Sequence, residues 1–424
     1  MIRKKLFFRF LSFMLLITAF LPVVHENLPF GLGSFRFWWG PLWIISIIFY
    51  KKTLFKHPVI LRFIIYSIGL MVFMPTIWYN MDEWLKSALL QEMYWMLIIS
   101  SVLFYYLVSN DYIGLTIMIK VVLVFIAITT VLTIVATKIN PFYVRLLTGS
   151  GATGFAETRE GQFFIHMGAG LYSFGQSLVC ILPLLVFLFK KSKSKNKKWW
   201  LLYIVVVFVA IVRMQFFANI IVAAVGILMA FIGGKRIKLS IIILIFLFGL
   251  AFALPKSNYS QLLINISHHI DKGSENFNKV TEFSSFLNAG NNDDTEIASR
   301  IERYPLLLNA FFNNPFFGNA NSPDPENIEN GYHIHWMGKL GATGIIGIIL
   351  FLFPHIFFIR SFFKRFNKEY AFYAGISYLT FIILGFMKTI AGRDIWFTYF
   401  LIIPGIYYFS LFRNKENEML VIDH

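Results

Sequence analysis

The sequence predicts an all-α fold, a bundle of about twelve transmembrane helices with one large, mainly helical loop on the outer side of the membrane. Three observations predict it. Hydrophobic residues make up 57% of the 424 residues and charged residues only 14%, whereas soluble domains carry about 25% charged residues. The chain divides into apolar runs near the length that crosses a bilayer. Basic residues lie between these runs on alternate sides, as membrane topology requires.

The apolar runs predict the spans in chain order. A helix needs about 20 apolar residues to cross the hydrocarbon core. The first run follows a basic start, as in a signal peptide, but no small-residue cleavage site follows it, so we expect a retained helix. The predicted spans are Lys5–Val24, Trp38–Tyr50, Pro58–Tyr79, Glu92–Ser109, Tyr112–Thr137, Phe163–Phe189, Trp199–Arg213, Gln215–Ile232, Leu239–Leu254, Trp336–Phe358, Glu369–Lys388 and Ile395–Phe412.

The distribution of charge predicts the orientation of the spans. With the N-terminus in the cytoplasm, the short inner segments and termini hold more than half of the 38 basic residues, including the lysine-rich stretch 190–198. The positive-inside rule therefore predicts a multi-pass membrane protein with both termini in the cytoplasm. The lipid bilayer also accounts for the net charge of +16 more simply than a nucleic acid partner does.

One apolar region is too long for a single span. The stretch from Trp199 to Gly234 would form a helix about 54 Å long, against a core of about 30 Å. Because both of its flanks are strongly basic, they should share a side of the membrane. The chain must therefore turn near Arg213, Met214 and Gln215, which places Arg213 at the outer face.

This topology divides the chain into four segments. Residues 1–254 form an N-terminal bundle of about nine spans, 255–335 a large outer loop, 336–412 a bundle of about three spans, and 413–424 a cytoplasmic tail. The loop is polar and is expected to contain an amphipathic helix at Ala298–Phe312, kinked at Pro305. The chain then re-enters the membrane through four glycines that would permit close helix packing, namely Gly338, Gly341, Gly344 and Gly347.

Arginines on the outer side call for partners, because the positive-inside rule depletes them there. Arg213, Arg300 and Arg303 are such residues. A guanidinium group matches phosphate bidentately, although each arginine alone could equally extend to the interface or form a salt bridge. Together with a histidine in the same region, they indicate a site that handles a phosphorylated lipid.

Two histidines stand just before a predicted span. His333 and His335 lie where an imidazole can accept a proton near neutral pH, which makes either a candidate general base. The alternative is an ordinary interfacial histidine at a helix end.

Three other patterns are set aside. The stretch Gly149–Gly154 matches a dinucleotide fingerprint but has no βαβ unit around it. His268 and His269 with Asp271 lack a third spaced ligand for a metal site. Cys180, the only cysteine, lies in an apolar run, which predicts a buried residue and no disulfide or cysteine-based metal site.

The order and spacing of these residues resemble a known group, the bacterial O-antigen ligase and O-antigen polymerase superfamily. Arg300 and Tyr304 followed by Pro315-Phe316-Phe317-Gly318 look like the family's arginine, aromatic, then Pro-x-x-Gly stretch. His333 leading to Gly344 and Gly347 is similar to its histidine and Gly-x-x-Gly helix entry. Arg213 is placed like the family's arginine at the outer end of a helix.

The resemblance implies a glycosyltransferase of the bacterial inner membrane that uses an undecaprenyl-diphosphate-linked oligosaccharide on the outer side, without a nucleotide sugar, obligatory metal or other cofactor. It implies His333 as general base, with His335 as second choice. It assigns the diphosphate to Arg213 and Arg300, with Arg303 and Lys339 as second choices. Besides the lipid-linked donor, a glycan acceptor and a chain-length regulator are the expected partners.

The leading hypothesis is a polymerase that joins repeat units into O-antigen or capsular polysaccharide. A ligase that transfers finished polymer to lipid A-core needs the same residues and stays open. A transporter or flippase for the lipid-linked sugar is the alternative from another class, since transporters place ionisable groups at mid-membrane on broken helices. A purely structural membrane protein would have no reason to place arginines outside.

Overall fold

The apolar runs of the sequence form helices. The computed structural model describes residues 2–73, 83–148, 152–233, 296–318, 334–390 and 392–422, with single residues and short groups between 264 and 285. In chain order the helices are α1 (Ile2–Phe20), α2 (Pro22–His25), α3 (Gly40–Tyr50), α4 (Pro58–Phe73), α5 (Glu83–Val108), α6 (Tyr112–Ile139), α7 (Tyr143–Thr148), α8 (Ala152–Glu157), α9 (Arg159–Met167), α10 (Tyr172–Lys191), α11 (Ser194–Arg213), α12 (Phe217–Ile232), α13 (Glu296–Asn313), α14 (His335–Phe363), α15 (Lys368–Met387), α16 (Arg393–Phe397) and α17 (Ile403–Ile422).

The described part contains six helical stretches long and apolar enough to cross a membrane, two of which join consecutive helices, α9 with α10 and α16 with α17. The helical membrane bundle predicted from the sequence is therefore confirmed, while the count of twelve spans stays a prediction. One predicted span, Leu239–Leu254, lies outside the described residues. The six candidates are Leu89–Val108, Tyr112–Ile139, Arg159–Lys191, His335–Phe363, Lys368–Met387 and Arg393–Phe412.

Helix α10 lies at the centre of the bundle, in contact with α11, α12 and α15. Its residues from Phe174 to Leu188 are all buried, as expected for a helix that is apolar on every face. Cys180 lies in this stretch and is buried, as predicted.

The predicted turn after α11 lies where the sequence places it. Helix α11 ends at Arg213, and α12 begins at Phe217. Between them Gln215 adopts a left-handed backbone conformation with φ of 59°, which reverses the chain within a few residues. The length of the apolar run and the charge of its flanks were therefore sufficient to locate this turn.

The predicted span Phe163–Phe189 differs in detail, because α9 and α10 are separate helices. Helix α9 is capped after Met167 by Gly168, which has φ of 70°, a conformation that glycine adopts without the penalty of a Cβ atom. A Cβ atom at Gly168 would lie 2.0 Å from the backbone nitrogen of Val23. The break therefore permits close contact with α2.

The two ends of the bundle differ in charge. We call the end that contains Phe20, Tyr172 and Met387 the cavity end, and the opposite end, which contains Lys191 and Lys368, the basic end. At the basic end Lys190 donates to the carbonyl oxygens of Ala230 and Phe231, at 3.0 and 2.7 Å. A cation in this place satisfies the last carbonyls of α12.

Candidate functional site

The C-terminal end of α15 joins several elements at the cavity end. The Tyr304 hydroxyl of α13 donates to the carbonyl oxygen of Phe386 at 2.5 Å, and Nε2 of Gln176 in α10 donates to that of Thr389 at 2.9 Å. Burial raises the pKa of Tyr304, which keeps its hydroxyl protonated as a donor. The last carbonyls of a helix lack partners within the helix, so the Tyr304 bond holds the loop helix α13 against α15, and the Gln176 bond ties the segment after α15 to α10.

Helix α14 is interrupted at Gly344, where φ is 63° and ψ is −166°. The backbone N–H of Ile345 donates to the carbonyl oxygen of Pro315 at 2.8 Å, and that of Ile346 to Phe316 at 3.1 Å. Irregular backbone at membrane depth is tolerated where protein satisfies its polar groups. The segment that follows α13 therefore supplies the acceptors that the break in α14 requires.

Glycine is required on both sides of this contact. Gly318 has φ of 78°, and a Cβ atom there would lie 2.4 Å from the backbone of Ala342. A Cβ atom at Gly344 would lie 2.5 Å from the nitrogen of Gly318. The sequence predicted close packing for the glycines of α14. Gly341 fits that expectation, since a Cβ atom there would lie 3.3 Å from the Leu307 oxygen, whereas Gly344 breaks the helix.

A buried cluster of charge lies beside the first turns of α14. Lys339 donates to Oε2 of Glu92 in α5, and Nε2 of His335 lies 3.4 Å from Oε1 of the same carboxylate. His335 and Lys339 are one helical turn apart and so share a face. The ammonium group also lies 4.0 Å from the centre of the Phe351 ring. Glu92 therefore compensates buried charge that would be costly alone.

The remaining predicted site residues are placed as follows. His333, the first choice for the base, lies outside the described residues. Arg300 and Arg303 belong to α13, which packs against α14. Arg213 is exposed at the end of α11. The structure thus brings His335 and Lys339 together at Glu92, and it places the helix of Arg300 and Arg303 against theirs.

The turn that carries Arg213 packs against the start of α10. Phe216 lies edge-to-face with Tyr172, with the ring centres 4.6 Å apart. Met214 and Phe216 also belong to a small apolar cluster with Ala169. Residues 169–171 border the larger of two cavities, so the Arg213 turn is fixed to a segment that lines this cavity.

Two neighbouring cavities open at the cavity end. The smaller, about 100 Å³, is lined by the Glu92 cluster and by Ile334 and Trp396. The larger, about 560 Å³, is lined by residues of α1, α2, α5 and α10 and by Gly392, Arg393 and Asp394. Gln91 and Trp95 line both cavities, so the two spaces adjoin across the start of α5.

The larger cavity contains charges of both signs. Nε2 of His25 lies 2.8 Å from the Glu26 carboxylate, and this hydrogen bond holds the pKa of Glu26 below its usual range. Asp394 accepts a hydrogen bond from the Ser173 hydroxyl at 3.1 Å. Arg393 is half-buried and interacts electrostatically with Glu26 and Asp394. The described residues provide its guanidinium group with no hydrogen bond or ion pair, so it can donate to a ligand.

Sequence reasoning missed Glu92, Glu26, Arg393 and Asp394. Arg393 could have been found, because it lies between two predicted spans on the outer side, where the same argument selected Arg213. The roles of the carboxylates depend on contacts that no local pattern encodes.

For a metal ion, the described ranges bring no three His, Cys, Asp or Glu side chains together. His268, His269 and Asp271 lie outside the described residues.

Comparison with known proteins does not add a family. No protein-family model matches the sequence, and no curated protein is significantly similar to it. Fold and composition define the class as a helical membrane protein. Within that class, the site combines a buried ion pair, an interrupted helix and a cavity lined in part by charged side chains. Such an arrangement can bind a polar ligand, stabilise negative charge and exchange a proton.

Proposed function

We propose that this protein is a polymerase that joins undecaprenyl-diphosphate-linked oligosaccharide repeat units into O-antigen or capsular polysaccharide. One observation carries most of the support. The loop stretch that resembles the superfamily ends in Pro315–Gly318, and the helix stretch that resembles it contains Gly344. These two stretches are hydrogen bonded to each other, although the resemblance was stated from their sequences separately.

The proposed reaction takes place on the outer face of the bacterial inner membrane. The lysine-rich segments lie at the basic end, and the positive-inside rule assigns such segments to the cytoplasm. The cavity end, with the Arg213 turn and α13, is then extracytoplasmic. Both termini are cytoplasmic in this orientation.

The chemistry is a glycosyl transfer. A hydroxyl oxygen of the acceptor sugar attacks the anomeric carbon of the lipid-linked glycan, and His333 takes the hydroxyl proton. The bond from the anomeric carbon to the phosphate oxygen breaks, and its electron pair leaves with undecaprenyl diphosphate. Arg213 and Arg300 stabilise the charge that develops on this diphosphate, with Arg303 in support.

The second-choice residues receive a different role in this proposal. His335 and Lys339 both face Glu92, which ties the start of α14 to α5. They therefore position the segment that carries His333. His335 is also the alternative for the base, and Lys339 is the alternative for the diphosphate contact. Arg213 is exposed and can meet a headgroup directly.

A deletion strain complemented with variants tests the proposal. We expect the deletion, His333→Ala and Arg300→Ala to leave surface glycan with a single repeat unit. Arg360→Ala is the matched control, because Arg360 is exposed at the basic end, and it should restore full polymer. Glycan length is measured on gels and protein insertion by immunoblot. Full-length polymer from normally inserted His333→Ala and Arg300→Ala proteins would overturn the proposal, and unattached lipid-linked polymer in the deletion strain would favour the ligase.

A transporter for the same lipid-linked sugar is the second candidate. The interruption of α14 at Gly344 and the buried Glu92, Lys339 and His355 favour it, because transporters use broken helices and intramembrane ionisable groups. The deletion phenotype separates the two functions. Loss of a transporter removes all repeat units from the surface, whereas loss of a polymerase leaves single units there.

A further inference from the structure

Among the described residues that line the larger cavity, none is one that the proposed function assigns to the diphosphate or to proton transfer. Its volume of about 560 Å³ lies within the roughly 300–1,000 Å³ typical of small-molecule sites, which is room for a short oligosaccharide. Its lining comes from residues far apart in the chain, from Thr18 to Asp394. The fold therefore maintains a space with mixed polar and apolar lining beside the proposed reaction centre.

The side chains around this space suit a polyhydroxylated ligand. The carboxylates of Glu26 and Asp394 accept hydrogen bonds, the Arg393 guanidinium donates them, and Gln91 does both. Trp95 is also part of the lining, and its ring offers an apolar face. Alternating hydroxyl groups and C–H faces are the defining surface of a sugar, so the lining matches a saccharide in both respects.

The charges argue against a diphosphate in this cavity. The Arg393 guanidinium group and the His25 imidazole lie among two carboxylates in the lining, and a diphosphate placed there would experience repulsion from both carboxylates. The pKa of Glu26 is held below its usual range, so its carboxylate is ionised at neutral pH. An uncharged ligand meets no such repulsion. The diphosphate therefore belongs at Arg213 and Arg300, and the larger cavity is suited to a neutral glycan.

We propose that the larger cavity binds the terminal sugars of the acceptor oligosaccharide as an uncharged glycan, with Glu26, Asp394 and Arg393 as its polar contacts. The assignment of the bound sugar to the acceptor rests on the proposed function, whereas the binding of a saccharide in this cavity does not. The cavity adjoins the smaller one across Gln91 and Trp95. The smaller cavity is lined by Ile334, the residue that follows the proposed base in sequence. The bound glycan would thus present a hydroxyl toward the start of α14.

Binding to the full-length protein in nanodiscs tests the proposal. The probe is the repeat-unit oligosaccharide released by mild acid from the bacterium's own lipid-linked intermediate. Loss of one charged hydrogen bond should raise its Kd about tenfold to a hundredfold in Glu26→Gln and in Asp394→Asn. Glu369→Gln is the matched control, since Glu369 lies in an exposed pair at the basic end, and its Kd should equal that of the wild type.

Two results would overturn the saccharide site. One is no binding of the probe to the wild-type protein, and the other is unchanged Kd in both variants. The two variants lie on different elements that line the cavity, so Glu26→Gln still decides the matter if Asp394→Asn does not fold. Inorganic pyrophosphate serves as the contrasting probe, and competition with the oligosaccharide at equal concentration would also contradict the charge argument.

A turnover assay separates this proposal from the proposed function. Purified protein receives lipid-linked repeat units, and polymer is measured. If the wild type binds the oligosaccharide through Glu26 and Asp394 but forms no polymer, the polymerase function fails and the saccharide site stands. If polymer forms, Glu26→Gln should raise the KM for the acceptor about tenfold or more and leave kcat nearly unchanged, and an unchanged KM would remove the acceptor role.

Discussion

The two ends of the bundle use the same kind of ion pair in different settings. At the cavity end Lys339 pairs with Glu92, with side-chain exposures of 5% and 9%. At the basic end Lys191 pairs with Glu369 at 2.6 Å, with exposures of 48% and 45%. Charges in water cost little to maintain and serve to orient the protein in its membrane. Charges kept out of water must be compensated. Substitutions are therefore expected to be tolerated least at the cavity end, where we propose the chemistry.

The largest expected effect comes from unpairing the buried carboxylate. Lys339→Met leaves the Glu92 charge without compensation and should lower the free energy of unfolding by about 3–5 kcal/mol. Adding Glu92→Gln to Lys339→Met removes the charge and should recover most of the loss. Unfolding midpoints in detergent micelles measure both. A double variant as unstable as the single one would show that charge compensation is not the reason for the pair.

Gly344→Ala is expected to have the next largest effect. Alanine at φ of 63° is strained, and its Cβ atom would collide with the Gly318 backbone, so the cost is about 1–3 kcal/mol together with shorter glycan. Gly375→Ala is the control, because its Cβ atom would lie 3.9 Å from the Phe363 ring, an ordinary contact. That variant should be unchanged or slightly more stable. Equal effects of the two substitutions would contradict the role of the helix break.

An ion pair between α1 and the start of α6 at the basic end gives a smaller effect that depends on pH. Asp111 accepts hydrogen bonds from Arg9 at 2.9 and 2.5 Å. Burial would raise the pKa of Asp111, but the Arg9 contacts outweigh it and hold this pKa below the usual value.

The stability from this pair is therefore fully present above about pH 4, near the unfolded pKa, and is lost as the pH falls through the lower folded pKa. Asp111→Asn should cost about 1–2 kcal/mol at neutral pH. The difference from the wild type should shrink on acidification. A constant difference from pH 7 to 3 in thermal midpoints would contradict the ionic origin.

The smallest effect is expected at the exposed pair. Lys191→Met should change the free energy of unfolding by less than about 1 kcal/mol, because water solvates the remaining Glu369 carboxylate. The same measurement as for Lys339→Met applies, and glycan length should be unchanged. A loss as large as that of Lys339→Met would remove the distinction between the two ends.

Features that depend on local quantities could be predicted from the sequence. The turn after Arg213 followed from the length of an apolar run and the charge of its flanks, and Gln215 lies in that turn with a left-handed backbone. The amphipathic helix predicted at Ala298–Phe312 corresponds to α13, which runs from Glu296 to Asn313 with Pro305 inside it. These outcomes need no knowledge of distant residues.

The candidate site depends on contacts between distant residues. Glu92 and Lys339 are 247 positions apart, and neither neighbourhood indicates the other. The four glycines of α14 are spaced three apart, which fits close packing as well as a break. Gly344 differs because the Pro315 carbonyl, far away in sequence, accepts from Ile345. Tertiary contacts therefore distinguish the roles of residues that composition and spacing cannot tell apart.

The break at Gly344 also limits how this protein can diverge or be engineered. The carbonyl groups of Pro315 and Phe316 serve as the acceptors for N–H groups that α14 exposes. A hybrid that received a foreign outer loop would leave those donors unmatched unless the new loop ended in the same geometry. The loop terminus and the first half of α14 thus form one inheritable unit, and specificity can be exchanged between proteins of this design only by moving both together.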